Sequence, residues 1–165
     1  MRFKQALFII LLPLVLLAAA CPARAEIGIS PERACKLLRA WNFKTDPYAK
    51  HGAWHVCEAV KTISSGQLNN TLAYQVVGEK KKVHELRLEL SVDDPRKQGE
   101  AKKSMIQAAL HMASKLGARD APHGLEEALR RGSEGRWSAG RAIITLVKLP
   151  VPDPPRGYRL ILTAR

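Results

Sequence analysis

The most regular hydrophobic pattern in the chain is an alternation of residue types between positions 84 and 92. One set of alternate positions holds His84, Leu86, Leu88, Leu90 and Val92. The other set holds Glu85, Arg87, Glu89 and Ser91. Successive side chains of a β-strand point to opposite faces, so the pattern predicts a strand with one face on a core and the other in solvent.

Four further segments have strand-like composition and are bounded by turn residues. They are residues 53–61, 71–77, 141–149 and 158–163. The sequence 78–81 is typical of a hairpin turn that leads into the strand at 84–92. The glycine-rich stretch 132–140 lacks the lysine and the spacing of a phosphate-binding loop, so it is interpreted as a flexible connection.

Helical signals occupy the remaining segments. Ser30, Pro31 and Glu32 are typical of a helix start, and apolar residues then recur at helical spacing. This pattern predicts a helix that ends near Asn42 or Phe43. A second helical region follows Asp94 and ends before Gly117, and a short third helix covers 122–131.

The resulting order is α-β-β-β-α-α-β-β. It predicts one α+β domain over residues 26–165, in which helices cover one face of a five-stranded antiparallel sheet. This order of elements resembles the small sheet-and-helix fold of type III secretion chaperones, although the chain has no helix after its last strand. The resemblance implies protein binding and allows a homodimer, which is an association with the fold and not a property of particular residues.

The first 25 residues have the pattern of a secretory signal peptide. Arg2 and Lys4 precede an apolar run at 6–20, and the triplet at 23–25 is a small-x-small cleavage site. We therefore expect cleavage and release into the periplasm or the medium. Two alternatives stay open: the run could persist as an uncleaved anchor, or Cys21 could carry a lipid. The chain would be tied to a membrane only in those two cases.

Removal of the leader leaves two of the three cysteines, Cys35 and Cys57. An even number of cysteines in an oxidising compartment predicts a disulfide between them. The alternative is a reactive thiol pair, but the Cys-x-x-Cys spacing that is typical of redox pairs is absent.

The basic residues are the strongest sign of a binding function. The leader carries three of the 27 Lys and Arg and none of the 15 Asp and Glu, so the net charge without it is +9 rather than +12. Such a surface favours anionic partners, although nucleic acid is not expected outside the cytoplasm. The residues proposed to bind an anion or a partner are Lys80, Lys81, Lys82, Arg130, Arg131, Arg136 and Trp137. They would form one surface only if the hairpin tip and the end of the short helix lie close together, which the sequence does not show.

Candidate catalytic and metal-binding residues are few. His51, His55 and Cys57 lie close in sequence, and three such ligands could hold zinc with one position open. A Cys57 that forms a disulfide is not a ligand, so no metal or other cofactor is predicted and the two histidines are weak candidates. No catalytic residue is predicted.

These observations predict an exported, non-enzymatic binding or structural protein of the bacterial envelope. Its basic surface would engage a protein partner or an anionic envelope component. Two alternatives remain. One is an enzyme, for example a hydrolase, with a site built on His51, His55 or His84. The other is an envelope protein anchored by a lipid on Cys21.

Overall fold

The computed structural model describes residues 26–64, 68–151 and 157–165. The predicted signal peptide over 1–25, together with Cys21, lies outside these residues. Within the part of the chain that the structure describes, no helix is long and apolar enough to cross a membrane.

A seven-stranded antiparallel sheet forms the centre of the fold. Its strands are β1 (Ala49–His51), β2 (Trp54–Thr62), β3 (Thr71–Glu79), β4 (Lys82–Val92), β5 (Gly135–Ala139), β6 (Ala142–Pro150) and β7 (Tyr158–Ala164). Their order in the sheet is β1-β2-β3-β4-β7-β6-β5. The sheet therefore consists of two meanders, and β4 and β7 join them at the centre.

Three helices lie between the two meanders or before them in the chain. They are α1 (Pro31–Cys35), α2 (Gln98–Lys115) and α3 (Leu125–Arg131). Helices α1 and α2 pack on β3 and β4, whereas α3 packs on α2 and β5. The buried side chains of β3, β4, β6 and β7 face these helices and form one hydrophobic core with them. Each fully buried leucine of this core contributes roughly 1.5–3 kcal/mol relative to an exposed one.

The α+β class and the antiparallel sheet agree with the prediction, but the predicted number of five strands is wrong. Strand β1 was missed because its three residues are all exposed and show no alternation. Strand β5 lies in the stretch that was interpreted as a flexible connection. Its hairpin to β6 turns at Gly140, which has a φ of +59°. A Cβ atom at Gly140 would lie 2.2 Å from the carbonyl oxygen of Leu116, so glycine is required there.

The first helix is shorter than predicted. It ends at Cys35, and a 3-10 turn over Arg39–Trp41 continues the segment. Asn42 then adopts the left-handed conformation and ends it. Apolar residues spaced by three or four positions fit α-helical and 3-10 turns alike, so the pattern could not distinguish them.

The position of His84 in the strand also differs from the prediction. The pairing of β3 with β4 shifts between Val77 and Gly78, so that Val77 lies opposite Glu85 and Gly78 lies opposite Val83. His84 is the extra residue of this β-bulge. Val83 is fully buried and takes the place on the core face that the alternation had given to His84.

The face of the sheet that lies away from the helices carries ion pairs. Arg87 and Arg159 lie 2.6 and 3.5 Å from the carboxylate of Glu89, and Arg165 lies 2.6 Å from that of Glu85. The two carboxylates therefore offset part of the positive charge of these three arginines.

Candidate binding cleft beside the disulfide

A disulfide joins Cys35, at the end of α1, to Cys57 in β2. The two Cα atoms are 6.1 Å apart, within the range that a disulfide spans without moving the backbone. The predicted pairing is thus confirmed. It closes a loop of 22 residues, for which the chain-entropy model gives a stabilisation of about 3 kcal/mol.

A cleft of about 530 Å³ opens next to the disulfide, between α1, the 3-10 turn and the loop that leads to β1. Four residues provide most of its apolar wall: Pro31, Phe43, Pro47 and Tyr48. Clefts that bind small molecules commonly have volumes of roughly 300 to 1,000 Å³ and mainly apolar linings. Its size and its lining therefore suit a small molecule or the end of a larger one.

Hydrogen bonds fix the walls of this cleft. The Thr45 hydroxyl donates to the carbonyl of Cys35 at 3.0 Å, and the backbone N–H of Asp46 donates to the carbonyl of Glu58 at 3.0 Å. The cleft loop is thus held to α1 at one point and to the outer edge of β2 at another. The Cys35–Cys57 disulfide adds a covalent link between α1 and β2 to these two hydrogen bonds.

Tyr74 of β3 anchors α1 to the sheet. Its hydroxyl is buried and donates to the carbonyl of Ala34 at 2.8 Å. Burial raises the pKa of Tyr74 well above its ordinary value, because the phenolate would lose its hydration. The tyrosine is therefore a neutral hydrogen-bond donor over the whole physiological range of pH.

The rim of the cleft carries three cations and two carboxylates. Lys36 and Glu32 form a salt bridge of 2.6 Å, and this hydrogen bond holds the pKa of Glu32 below its ordinary value. Among the described residues, Arg39 and Lys44 have no carboxylate within salt-bridge distance. The rim therefore presents two uncompensated cations above an apolar wall, with Asp46 as the remaining acidic side chain.

The predicted basic residues Lys80, Lys81 and Lys82 lie at one end of this cleft. The link is Tyr48, whose hydroxyl donates to the carbonyl of Glu79 at 3.0 Å and lies 3.3 Å from that of Lys82. Burial and the charge of Glu79 raise the pKa of Tyr48. Lys82 makes a long ion pair of 3.8 Å with Glu26. The hairpin tip thus adds positive charge beside the cleft.

The predicted basic residues Arg130 and Arg131 lie in another part of the molecule. They occupy the last turn of α3, where each pairs with a glutamate one turn earlier. The carbonyl of Arg130 accepts a hydrogen bond from Lys102, which lies over the ring of Tyr158, and Tyr158 pairs with Val92. Since a strand rises about 3.3 Å per residue, the two ends of β4 are roughly 30 Å apart. The two basic groups therefore do not form one surface.

Arg136 and Trp137 are separated by the geometry of β5. Adjacent residues of a strand point to opposite faces, and Trp137 packs against the core while Arg136 is exposed. The indole of Trp137 also covers Gly135, where a Cβ atom would lie 2.4 Å from the ring. The two side chains therefore do not present a guanidinium beside an aromatic plate.

The histidines make separate contacts. His51 is exposed on β1, and the His55 ring lies 5.7 Å from the ring of Tyr48. His84 has its Nε2 atom 3.2 Å from Glu79 and its ring 6.2 Å from that of Trp54. In the described ranges, no group of three or more His, Cys, Asp or Glu side chains is arranged to hold a metal ion. The sulfur of Cys57 is also already bonded to Cys35.

The sequence did not single out Arg39, Lys44 or Tyr48, which contribute most to the character of the cleft. Arg39 lies in the 3-10 turn, and Lys44 and Tyr48 lie in the irregular segment that follows it, so no hydrophobic pattern marks any of the three. The one available signal was the position of the segment between the two cysteines. Neither the family models, nor the curated proteins, nor the solved structures include a match to this chain.

Proposed function

We propose that this protein is an exported, non-enzymatic binding protein that takes an anionic, partly apolar component of the cell envelope into the cleft beside its disulfide. The observation that carries the proposal is the pairing of an apolar wall with the uncompensated cations Arg39 and Lys44 at its rim. A ligand with a hydrocarbon part and an acidic head would match both features.

The proposed location outside the cytoplasm rests on two independent features. The first 25 residues have the pattern of a signal peptide. The Cys35–Cys57 disulfide is typical of proteins in oxidising compartments. Whether Cys21 carries a lipid would be decided by the mass of the N-terminal peptide, because a free amine on Glu26 excludes it.

An anionic amphiphile is a better occupant of the cleft than a protein surface. The cleft is concave and small, whereas stable protein interfaces bury roughly 800 Å² on each partner. A protein partner would have to insert a single acidic and apolar segment. The enzyme alternative is not favoured by any arrangement in the described part of the chain, because His51, His55 and His84 make separate contacts.

Calorimetric titration of the exported protein with octyl phosphate tests the proposal, with octanol as the uncharged analogue. We expect saturable binding of octyl phosphate and much weaker binding of octanol. Arg39→Gln and Lys44→Gln should each weaken the binding of octyl phosphate about fivefold, as loss of one partly exposed charge contact would.

The matched control is Arg119→Gln, which removes one exposed arginine outside the lining of the cleft. Equal affinities for octyl phosphate and octanol would contradict the role of the rim. Equal effects of Arg39→Gln and Arg119→Gln would show that only the overall charge matters. If octyl phosphate does not bind while a protein is cross-linked to Lys44, the partner is a protein.

A further inference from the structure

Two lysine ammonium groups lie close to the ring of Tyr158, at the end of β4 that is distant from the cleft. The Nζ atom of Lys148 lies 4.7 Å from the centre of the Tyr158 ring, and that of Lys102 lies 5.7 Å from it. The Tyr158 hydroxyl donates to Gln98 at 2.9 Å, which fixes the ring between α2 and the sheet. Lys102, Lys148 and Tyr158 are called the lysine cluster below.

The positive charge of the lysine cluster is only partly compensated. Lys102 donates one hydrogen bond, 3.0 Å long, to the carbonyl of Arg130 at the end of α3. Among the described residues, neither ammonium group forms a salt bridge with a carboxylate. The nearby glutamates Glu126 and Glu127 are engaged by Arg130 and Arg131. Burial and the charge of Lys148 both lower the pKa of Lys102, as expected for cations that are held together.

The backbone at the end of α3 runs close to the side chain of Lys148. Gly132 ends α3 with a φ of +67°, and a Cβ atom there would lie 3.8 Å from the Nζ atom of Lys148. The residue that ends α3 therefore places no side chain against Lys148. The carboxylate of Glu134 also lies near the cluster, where it accepts the backbone N–H of Lys148 at 3.3 Å.

We propose that the lysine cluster is a second binding site, separate from the cleft, that takes a phosphate-type dianion between the ammonium groups of Lys102 and Lys148. The two ammonium groups carry six N–H donors, of which one is used by the Arg130 carbonyl. Lysine binds phosphate as a point charge, and two such charges match a dianion. The ring of Tyr158 holds both ammonium groups in place through cation–π contacts.

The phosphate could be a free ion or the headgroup of a lipid. Two probes distinguish these sources. Inorganic phosphate tests the free ion, and vesicles of phosphatidic acid in phosphatidylcholine test the lipid headgroup, with pure phosphatidylcholine vesicles as the reference. Inorganic phosphate has no apolar part, so its binding is independent of the apolar wall of the cleft and of the function proposed for it.

The experiment is a titration of the exported protein followed through the NMR signals of the lysine ammonium groups. We expect one probe to shift the signals of Lys102 and Lys148 saturably. Lys102→Gln and Lys148→Gln should each weaken that binding about tenfold, because each removes a charge-assisted hydrogen bond. Lys103→Gln is the matched control, because it removes the same charge from the next, exposed residue of α2. Glu134→Gln should strengthen binding.

Saturable binding of inorganic phosphate would identify the free ion as the ligand, and binding of the vesicles alone would identify the headgroup. The proposal is overturned if neither probe shifts the two signals. It is also overturned if Lys103→Gln weakens binding as much as Lys102→Gln does. Circular dichroism of each variant verifies that the substitution leaves the fold intact.

Discussion

The two basic regions at the ends of β4 differ in construction. The cleft is concave, has an apolar wall and is fixed by a disulfide and by hydrogen bonds from Thr45 and Asp46. The lysine cluster is a pair of lysine side chains held on one tyrosine ring. The first suits a ligand with an apolar part, and the second suits a small polar anion. Positive charge alone therefore does not define the ligand. The shape and polarity of the surface that carries the charge select between the two kinds of ligand.

The two regions also depend on different parts of the fold. The cleft exists only where α1 and its loop are tied to β2 and β3. The lysine cluster is carried by α2, β6 and β7, which do not include the disulfide. Changes at the disulfide should therefore leave the lysine cluster intact, and changes at the lysine cluster should leave the cleft intact. The following predictions test this independence, starting with the largest effect.

Replacing both cysteines, Cys35→Ser with Cys57→Ser, should lower the free energy of unfolding by about 3 kcal/mol. The cleft should lose its shape, and binding of octyl phosphate should fall with it. The measurements are urea unfolding and calorimetry on the folded protein. Binding at the lysine cluster, which lies elsewhere, serves as the control and should be unchanged. Retention of full octyl phosphate affinity in the double variant would contradict the structural role of the disulfide.

Tyr74→Phe should lower the free energy of unfolding by about 1–3 kcal/mol. The substitution keeps the ring but leaves the buried carbonyl of Ala34 without its donor. Because α1 forms one wall of the cleft, binding of octyl phosphate should weaken as well. Urea unfolding gives the first quantity and calorimetry the second. A loss of stability with an unchanged affinity would mean that α1 is held by the disulfide alone.

The same tyrosine predicts a dependence of stability on pH. Burial raises the pKa of Tyr74 above the value of 10.0 that it has when exposed. Above pH 10 the unfolded chain loses this proton while the folded protein keeps it, so the free energy of unfolding falls as the pH rises. Tyr74→Phe lacks this contribution and should show a shallower decline between pH 9 and 12. Parallel curves for the two proteins would contradict the assignment.

Tyr48→Phe should have a smaller effect, confined to the cleft. The hydroxyl bonds the β3–β4 hairpin to the cleft wall through the carbonyl of Glu79. Loss of this hydrogen bond should lower the free energy of unfolding by about 0.5–1.5 kcal/mol, and the binding of octyl phosphate should weaken with it. Inorganic phosphate binding at the lysine cluster should not change. A change in phosphate binding of similar size would show that the two regions are coupled.

The smallest predicted effect is a difference in phosphate affinity between two variants of Tyr158, one that keeps the aromatic ring and one that removes it. Tyr158→Phe keeps the cation–π contacts and should leave phosphate affinity nearly unchanged, whereas Tyr158→Leu should lose about 0.5–1 kcal/mol of binding. NMR titration with inorganic phosphate measures both variants. The reverse order would mean that the hydroxyl, and not the ring, positions the lysines.

The sequence predicted the features that neighbouring residues determine and missed those that depend on contacts between distant residues. Alternation in β4 and turn residues at 78–81 are local signals, and they predicted the antiparallel sheet. The disulfide followed from counting cysteines after the leader. Strand β1 has no such signal, since its three exposed residues become a strand only by pairing with β2.

The bulge at His84 and the cleft depend on distant residues. A register shift is set by pairing between strands, so an unbroken alternation cannot reveal it. The cleft combines α1, an irregular loop and a hairpin that is distant in sequence, joined by Tyr48. The separation of Lys80–Lys82 from Arg130 and Arg131 likewise follows from the order of strands, which the sequence did not provide.

An NMR titration of the exported protein with octyl phosphate, followed through the backbone amide signals, would locate the ligand on the molecule. We expect saturable shifts concentrated at Arg39 and along residues 43–48, with no change near Lys102 or Lys148 at low ligand concentration. Shifts confined to the lysine cluster, or spread evenly over all basic residues, would contradict the proposal that the cleft is the binding site.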